Sequence, residues 1–223
     1  MKIQAVLFDM IGTTVQEKVP NTIRNCFRLA FEKYGVTPDN AVIKANRGKD
    51  KMVMITIILE QGNHPLDLAL PIFETFQENI NANLANFASA ENLTELFQTL
   101  QQKGIKIGIG TGLPRAQADK IIEHLKWETD NFHYIGISSE LGKARPHPIM
   151  IWDMMDSLNL TEKNAFLKVG DTLADIEEGK NAGVKTVGVL SGTQPKNLLA
   201  QGHPDFLIHQ IIEVADIIQT LSS

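Results

Sequence analysis

The chain has 223 residues, 43% of them hydrophobic and 21% charged, which is typical of a globular protein with one large domain or a core domain and a smaller insert. A net charge of -5 without any basic block argues against a nucleic-acid-binding surface, and no apolar run is long enough to span a membrane. One cysteine, Cys26, excludes an internal disulfide and a thiolate metal cluster, and this cysteine usage, without a signal-peptide pattern, predicts a cytoplasmic protein.

The chain then divides into two kinds of pattern. Residues 3–8 form an apolar run that predicts a buried strand ending at Asp9. Residues 15–90 show amphipathic helical patterns separated by glycine and proline, with no convincing strand, which predicts an inserted all-helical cap domain. From residue 91 onward, short apolar runs alternate with helical patterns, as in consecutive βαβ units. We therefore expect an α/β fold in which residues 1–14 and 91–223 form a Rossmann-like parallel sheet with helices on both faces.

Asp9 lies where the first predicted strand ends. Open α/β sheets place their chemistry at this edge, so a carboxylate here is a candidate catalytic group. Gly12 lets the backbone turn sharply after it. An ordinary strand-to-loop junction would show the same residues, so a catalytic role for Asp9 requires partners elsewhere in the chain.

Thr111 and Gly112 follow a second apolar run, residues 105–109. The threonine hydroxyl and the glycine amide could hold a phosphoryl oxygen, although a threonine at this position could equally cap the next helix. The surrounding glycines match a dinucleotide-binding loop only in part, because Leu113 stands where the third glycine of that motif belongs. We therefore reject a dinucleotide site.

Charged residues follow in two later segments. Arg145 precedes Pro146, which keeps its backbone extended, and its planar guanidinium suits phosphate recognition, with Lys143 as the alternative cation. Asp171 and Asp175 follow a later apolar run, and their spacing lets them face one point if a helix begins there. Paired carboxylates repel each other unless a cation lies between them, and oxygen ligands favour Mg²⁺. Helix capping is the competing explanation for this acidic pair.

The order of these four pieces resembles the haloacid dehalogenase superfamily, whose motifs are a D-x-x-x-[TV] strand end, a Ser/Thr strand end, a Lys or Arg, and an acidic pair. The resemblance covers essentially the whole chain, including a helical cap after the first motif. It implies that Asp9 takes the phosphoryl group as an aspartyl phosphate. The residues that it implies for phosphoryl binding are Gly12, Thr13, Thr111, Gly112 and Arg145.

The same resemblance implies Mg²⁺ as the cofactor. Its ligands would be Asp9, the backbone carbonyl of Ile11 and Asp171, with Asp175 bound directly or through water. The chemistry agrees with this assignment, because a carboxylate can attack an anionic phosphoryl group only if a metal and a cation screen the repulsion.

Ile11 departs from most phosphatases of this superfamily, which carry a second Asp there as general acid and base. Isoleucine cannot transfer a proton, and general acid–base assistance is typically worth about 10²–10⁴-fold in rate. Residues 8–14, 145–148 and 169–172 are similar to the phosphonatase (phosphonoacetaldehyde hydrolase) branch. In that branch a cap lysine forms a Schiff base with the substrate aldehyde, so the carbon leaving group departs as an enamine and needs no protonated alkoxide.

Lys51, three residues after Gly48, has the spacing of that lysine. A place in the first turn of a helix, the neighbouring Lys49 and above all burial would lower its pKa, although a solvated charged turn would show the same residues. Arg47 and Met54 stand where the branch has Met and His. Arg47 could instead bind a second anionic group on a different substrate.

The sequence therefore predicts a Mg²⁺-dependent hydrolase acting on a small phosphonate or phosphate metabolite. Two alternatives stay open at this point. One is a phosphate-monoester phosphatase of the phosphoglycolate phosphatase type, and the other is a phosphometabolite-binding regulatory protein that has lost turnover with the missing acid. The apolar cap helices are compatible with a homodimer, although the cap's own core needs the same apolar stripes.

Overall fold

The chain forms a six-stranded parallel sheet covered by helices, together with a separate two-stranded ribbon. The computed structural model describes residues 2–222. The strands are β1 (Ala5–Asp9), β2 (Val15–Glu17), β3 (Phe87–Ser89), β4 (Lys106–Thr111), β5 (Tyr134–Ile137), β6 (Phe166–Gly170), β7 (Lys185–Val189) and β8 (Phe206–Ile208). The α-helices are α1 (Thr22–Glu32), α2 (Asn40–Ala45), α3 (Lys51–Gln61), α4 (Ala69–Ala82), α5 (Leu93–Gln102), α6 (Arg115–His124), α7 (Ile149–Ser157), α8 (Leu173–Ala182), α9 (Lys196–Leu199) and α10 (Val214–Ser222). None of the helices in the described part of the chain is long and apolar enough to cross a membrane.

The order of the strands places β1 in the interior of the sheet. The order is β5-β4-β1-β6-β7-β8, and every neighbouring pair is parallel. Asp9 lies opposite Gly110, one residue before the end of β4. Because the carboxyl ends of parallel strands meet at one edge, Asp9, Thr111 and Asp171 come together there. The predicted α/β core is confirmed.

Burial on both faces fixes the position of β1. Ala5 and Leu7 pack with the methionines of α7 on one face, and Val6 and Phe8 belong to the larger core on the other face. The ring of Phe8 lies 5.6 Å from that of Phe97 in α5. Burying a side chain of this size contributes roughly 1.5–3 kcal/mol, so the strand that carries Asp9 is held from both sides.

Helices α1 to α4 form the cap segment, with α1 and α3 packed on α4. The rings of Phe27 in α1 and Phe76 in α4 meet edge to face with their centroids 5.4 Å apart. Gly35 follows α1 with φ of +71°, in the left-handed region that favours glycine. The sequence pattern did not predict α2, a short helix of 6 residues whose N-cap is Asp39.

The prediction that residues 15–90 contain only helices is wrong at both ends of that segment. Strands β2 and β3 pair antiparallel, with Val15 opposite Ser89, where the chain leaves and re-enters the parallel core. Strands of three residues are too short to show a period-two pattern, and their partners are remote in sequence. The division into a core and a cap domain stays a prediction.

Candidate active site

Asp9 lies at the centre of the site, almost fully buried at the end of β1. Its Oδ1 accepts a hydrogen bond of 2.6 Å from Nη1 of Arg145. Burial raises the pKa of Asp9 above its ordinary value, and the negative charge of Asp175 adds to this rise, while Arg145 opposes it. The carboxylate is therefore paired yet remains on the wall of a cavity.

Arg145 reaches Asp9 from the loop before α7 and is buried along its length. Its Nη2 donates to the carbonyl oxygen of Gly110 at 2.8 Å, and its Nε donates to Oε2 of Glu178 at 3.1 Å. Burial would lower the pKa of Arg145, but the charges of Asp175, Asp9 and Glu178 outweigh it and raise the pKa above its ordinary value. The alternative cation, Lys143, is exposed.

A fully buried network of ion pairs holds the side chain of Arg145 in place. Lys168 of β6 lies 3.0 Å from Oδ1 of Asp175 and 3.0 Å from Oε2 of Glu178, both in α8. Oδ1 of Asp175 also lies 3.2 Å from Nη1 of Arg145. Lys168 and Glu178 were not predicted from the sequence. Their only signal was a lysine inside an otherwise apolar strand, and one turn of helix between Asp175 and Glu178.

Asp171 lies in the loop after β6 and is held by two threonines. Its Oδ2 accepts hydrogen bonds of 2.6 Å from both the amide and the hydroxyl of Thr193, and its Oδ1 accepts one of 3.2 Å from the hydroxyl of Thr13. Burial, followed by the charges of Asp9 and Asp175, raises its pKa to about 7. Thr193 is a further residue that sequence reasoning missed, because nothing in its local pattern marks it.

Gly12 and Thr13 make their hydrogen bonds within the protein. The amide of Gly12 donates to the carbonyl oxygen of Val15 at 2.7 Å, and Thr13 donates its hydroxyl to Asp171. Gly12 has φ of +92°, and a β-carbon there would lie 2.3 Å from Oδ2 of Asp171. These contacts give both residues a part in positioning Asp171, and their binding of the phosphoryl group stays a prediction.

Three buried carboxylates offer oxygen atoms to one point. One oxygen each of Asp9, Asp171 and Asp175 lies within 4.8 Å of the others. Arg145 and Lys168 balance the charges of Asp175 and Glu178, which leaves Asp9 and Asp171 as two negative charges in excess when ionised. A buried, oxygen-only donor set with this excess fits a divalent cation such as Mg²⁺.

Asp175 fits an indirect role better than a direct one. Its Oδ2 accepts hydrogen bonds from the amide and the hydroxyl of Thr172, as the capping box at the start of α8, and its Oδ1 faces the two cations. Burial would raise its pKa, but Arg145, Lys168 and Thr172 hold the pKa below its ordinary value. Asp175 therefore stays ionised, as a charge that orients Arg145.

Thr111 and Gly112 close the core side of the site. Thr111 is buried at the end of β4, and its hydroxyl accepts a hydrogen bond of 3.1 Å from the amide of Leu113. A β-carbon on Gly112 would lie 2.6 Å from the carbonyl oxygen of Lys49, in the cap segment. Glycine is therefore required here so that the loop before α3 can lie on the core.

A cavity of about 80 Å³ runs from these core residues into the cap segment. Asp9, Ile11, Thr111, Gly112 and Arg145 line its core end. The cap contributes both apolar and charged side chains, namely Ile23, Phe27, Ile43, Met54, Glu17, Arg24, Arg47 and Lys51. The structure thus brings the predicted cap lysine and the predicted nucleophile to one cavity.

Lys51 is the first residue of α3, and Asp50 is the N-cap, accepting a hydrogen bond from the amide of Val53. The Nζ of Lys51 donates to the carbonyl oxygen of Lys49 at 3.1 Å. Burial lowers the pKa of Lys51 to about 8, although the charges of Asp50 and Asp9 partly oppose the shift. A lysine of this kind supplies a neutral amine much closer to neutral pH than an exposed lysine does.

Arg47 joins the cap to the core. Its Nη1 donates to the carbonyl oxygen of Thr193 at 2.9 Å, and within residues 2–222 no carboxylate lies at salt-bridge distance from it. The following residue, Gly48, has φ of +84°, and a β-carbon there would lie 2.5 Å from Oγ1 of Thr172. The loop that carries Arg47 therefore packs closely against the loop that carries Asp171.

Comparison with known proteins assigns this geometry to a family. A family model described as haloacid dehalogenase-like hydrolase matches residues 6–189. The chain belongs to that family and is an enzyme of that hydrolase class. It is 29% identical over 211 residues to a phosphonoacetaldehyde hydrolase from Bacillus cereus (strain G9842), covering 89% of this chain and 80% of that protein.

Solved structures share the fold across nearly the whole chain. A phosphonoacetaldehyde hydrolase-like protein from Oleispira antarctica has a TM-score of 0.88 at 19% identity, covering 99% of this chain and 93% of that one. A predicted phosphoglycolate phosphatase from Haemophilus somnus has a TM-score of 0.81 at 20% identity, covering 97% and 98%. Relatives with this fold thus carry names from both the phosphonatase and the phosphatase branches.

Proposed function

We propose that this protein is a Mg²⁺-dependent, phosphonatase-like hydrolase that transfers a phosphoryl group from a small phosphonate to Asp9 and then to water. The observation that carries the proposal is that Lys51 lines the same cavity as Asp9 and has a pKa lowered to about 8. A partly neutral amine near physiological pH can attack a substrate carbonyl. The relatives named phosphonoacetaldehyde hydrolase support the same assignment.

The core residues carry the phosphoryl transfer. Asp9 attacks phosphorus. Arg145 draws the phosphoryl oxygens towards Asp9. The hydroxyl of Thr111 and the amide of Gly112 hold these oxygens. Asp9 and Asp171, with Asp175 behind them, would hold the Mg²⁺, which when bound screens the charge repulsion between the carboxylate and the phosphonate. Lys168 and Glu178 keep Arg145 in place.

Lys51 converts the carbon fragment of the substrate into a good leaving group. Its amine condenses with a carbonyl next to the carbon bonded to phosphorus, and the resulting protonated imine accepts the electron pair of the breaking P–C bond. The product is an enamine on Lys51 and an aspartyl phosphate on Asp9. The enamine takes up a proton on carbon and is hydrolysed from Lys51, and a second water releases inorganic phosphate from Asp9.

The residues at two positions of the cavity, Ile11 and Glu17, favour this reaction over ester hydrolysis. Departure of an alkoxide requires a general acid, and Ile11 occupies the position where most phosphatases of this fold carry one. Glu17 also lines the cavity, but its two oxygens accept hydrogen bonds from the amides of Asn21 and Ile23. Neither residue provides the acid that a phosphate monoester needs.

The test is to incubate the protein with phosphonoacetaldehyde and Mg²⁺, to measure phosphate release, and to trap the imine with borohydride. We expect a reduced adduct on Lys51, and a loss of phosphate release of about 10²-fold or more in Lys51→Arg, which cannot form the imine. Lys49→Arg is the matched control and should behave as wild type. Phosphoglycolate is assayed in parallel as the second substrate. Release of phosphate from phosphoglycolate, with no imine trapped on Lys51 from phosphonoacetaldehyde, would contradict P–C cleavage and indicate a phosphatase. Absence of turnover with either substrate would favour a binding protein.

A further inference from the structure

The cap end of the cavity holds more positive charge than the proposed reaction uses. Arg24, Arg47 and Lys51 line it together with Glu17. Both oxygens of Glu17 are used to cap α1, and the Nη2 of Arg24 donates to the amide oxygen of Asn40 at 2.8 Å. Arg47 has a backbone carbonyl as its partner and, in the described part of the chain, no carboxylate. A half-buried guanidinium without a countercharge is a site prepared for an anion.

The position of Arg47 relative to Lys51 locates that anion. Arg47 precedes Lys51 by four residues in the loop that enters α3, and the two side chains line the same cavity. The phosphoryl group is assigned to the opposite end, beside Asp9 and Arg145. An anionic group near Arg47 would therefore be attached on the far side of the carbonyl that Lys51 attacks.

We propose that Arg47 forms a second anion subsite and that the substrate is a 2-oxo acid with a phosphonate on its third carbon. This inference rests on the proposed function, because it uses the same Lys51 chemistry. A carboxylate is the anion that suits one guanidinium, since it accepts two parallel hydrogen bonds and adds little volume to the substrate. The apolar side chains of Ile43 and Met54 line the same cavity and could contact the carbon chain.

The reaction balances without an oxidant or reductant. The amine of Lys51 condenses with the 2-oxo group and releases water, and the P–C bond breaks as phosphorus passes to Asp9. The electron pair of that bond enters the imine and gives an enamine. Protonation on carbon and hydrolysis release the 2-oxo acid without phosphorus and restore the lysine, while water releases phosphate from Asp9.

The subsite can be tested with two unreactive probes of equal chain length, 3-phosphonopropanoate and propylphosphonate, by calorimetric titration in the presence of Mg²⁺. We expect the wild type to bind the carboxylate probe about tenfold or more tightly than propylphosphonate. Arg47→Met should abolish this preference while leaving the affinity for propylphosphonate unchanged. Lys49→Met removes the same charge from the same loop, but its side chain donates to Asn46 and does not line the cavity, so the preference should persist.

Equal affinity for the two probes, no binding of either probe, or a preference that survives in Arg47→Met would overturn the subsite. Turnover separates this failure from failure of the proposed function. Wild type should release phosphate from 3-phosphono-2-oxopropanoate with a kcat/KM about tenfold or more above that for phosphonoacetaldehyde, and Arg47→Met should reverse that order. Phosphonoacetaldehyde turnover with no probe preference would overturn the subsite alone. A clear probe preference, with no phosphate release and no trapped lysine, would overturn the phosphonatase reaction and leave the anion site standing.

Discussion

The site has two halves that balance their charges in different ways. The core half comprises Asp171, held by threonines, and an ion-pair network of Asp9, Arg145, Asp175, Glu178 and Lys168 in which each cation has two or more carboxylate partners. The cap half, comprising Arg24, Arg47 and Lys51, has no carboxylate at salt-bridge distance within residues 2–222.

This difference separates the general chemistry from the choice of substrate. The core network is preorganised, so in the proposed reaction a phosphoryl group would meet the same fixed charges whatever is attached to it. In the proposed function, a ligand would supply the countercharge that the cap cations lack at salt-bridge distance, and we therefore expect these cations to discriminate between ligands. Four changes would break or sharpen this comparison, and we order them by the size of the expected effect.

Asp9→Asn should abolish the chemistry of the core half. Phosphate release should fall on the order of 10⁴-fold or more, because an amide cannot take the phosphoryl group. The unfolding temperature should not fall, since Asp175 and Glu178 still pair with Arg145. Enzyme assays and thermal unfolding measure the two effects, and Asp119→Asn, an exposed site, is the control. Substantial activity in Asp9→Asn would contradict the assignment of the nucleophile.

Lys168→Met should show that the core network depends on full pairing. Removing one member of a buried ion pair costs about 3–5 kcal/mol of the free energy of unfolding, because the carboxylates of Asp175 and Glu178 lose a partner. Lys180→Met is the matched control, since Lys180 pairs with Asp205 at 3.3 Å near the surface and should cost about 1 kcal/mol or less. Urea titration of both variants measures the difference. Equal losses would show that burial does not set the strength of the core network.

Gly48→Ala should push the cap loop that carries Arg47 and Lys51 away from the core. Both Gly48 and Gly35 have positive φ, so alanine at either position should destabilise the fold by about 1 kcal/mol. A β-carbon on Gly48 meets Thr172, whereas nothing lies within 4 Å of one on Gly35. We expect kcat/KM to fall about 10-fold to 100-fold in Gly48→Ala, because the loop that carries Arg47 and Lys51 is displaced. Gly35→Ala should keep full activity, and a similar loss there would attribute the effect to general instability.

The pH dependence of Lys51 is the smallest and most specific prediction. Because its pKa is lowered from 10.5 to about 8, the neutral amine is present above about pH 8 and is lost as the pH falls through that value. The rate at which trinitrobenzenesulfonate labels Lys51, followed by peptide mass spectrometry, should therefore level off above about pH 8. Free Nα-acetyl-lysine amide is the control and should keep rising towards pH 10. A labelling midpoint for Lys51 that matches the free amino acid would contradict the buried amine.

Local patterns were sufficient to predict the sheet and the residues at its active edge. The apolar runs before Asp9, Thr111 and Asp171 each predict a buried strand, and parallel strands bring their carboxyl ends together without further information. Helices α5 to α8 follow from apolar spacing and glycine stops alone. The sequence left open whether Lys51 begins a helix or lies in a solvated charged turn, and the structure places it as the first residue of α3, after the N-cap Asp50.

Contacts between remote residues were decided only by the tertiary structure. Lys168 reads as one polar residue in a strand until α8 places Asp175 and Glu178 against it. The hydrogen bonds from Thr193 to Asp171 and from Arg47 to Thr193 join separate loops, and β2 finds β3 across the whole cap segment. Sequence periodicity reports which face of an element is buried, but it does not report which distant group lies opposite. The motifs therefore determined where the candidate site lies, and the packing of the cap segment on the core decided which of its cations have no carboxylate close by.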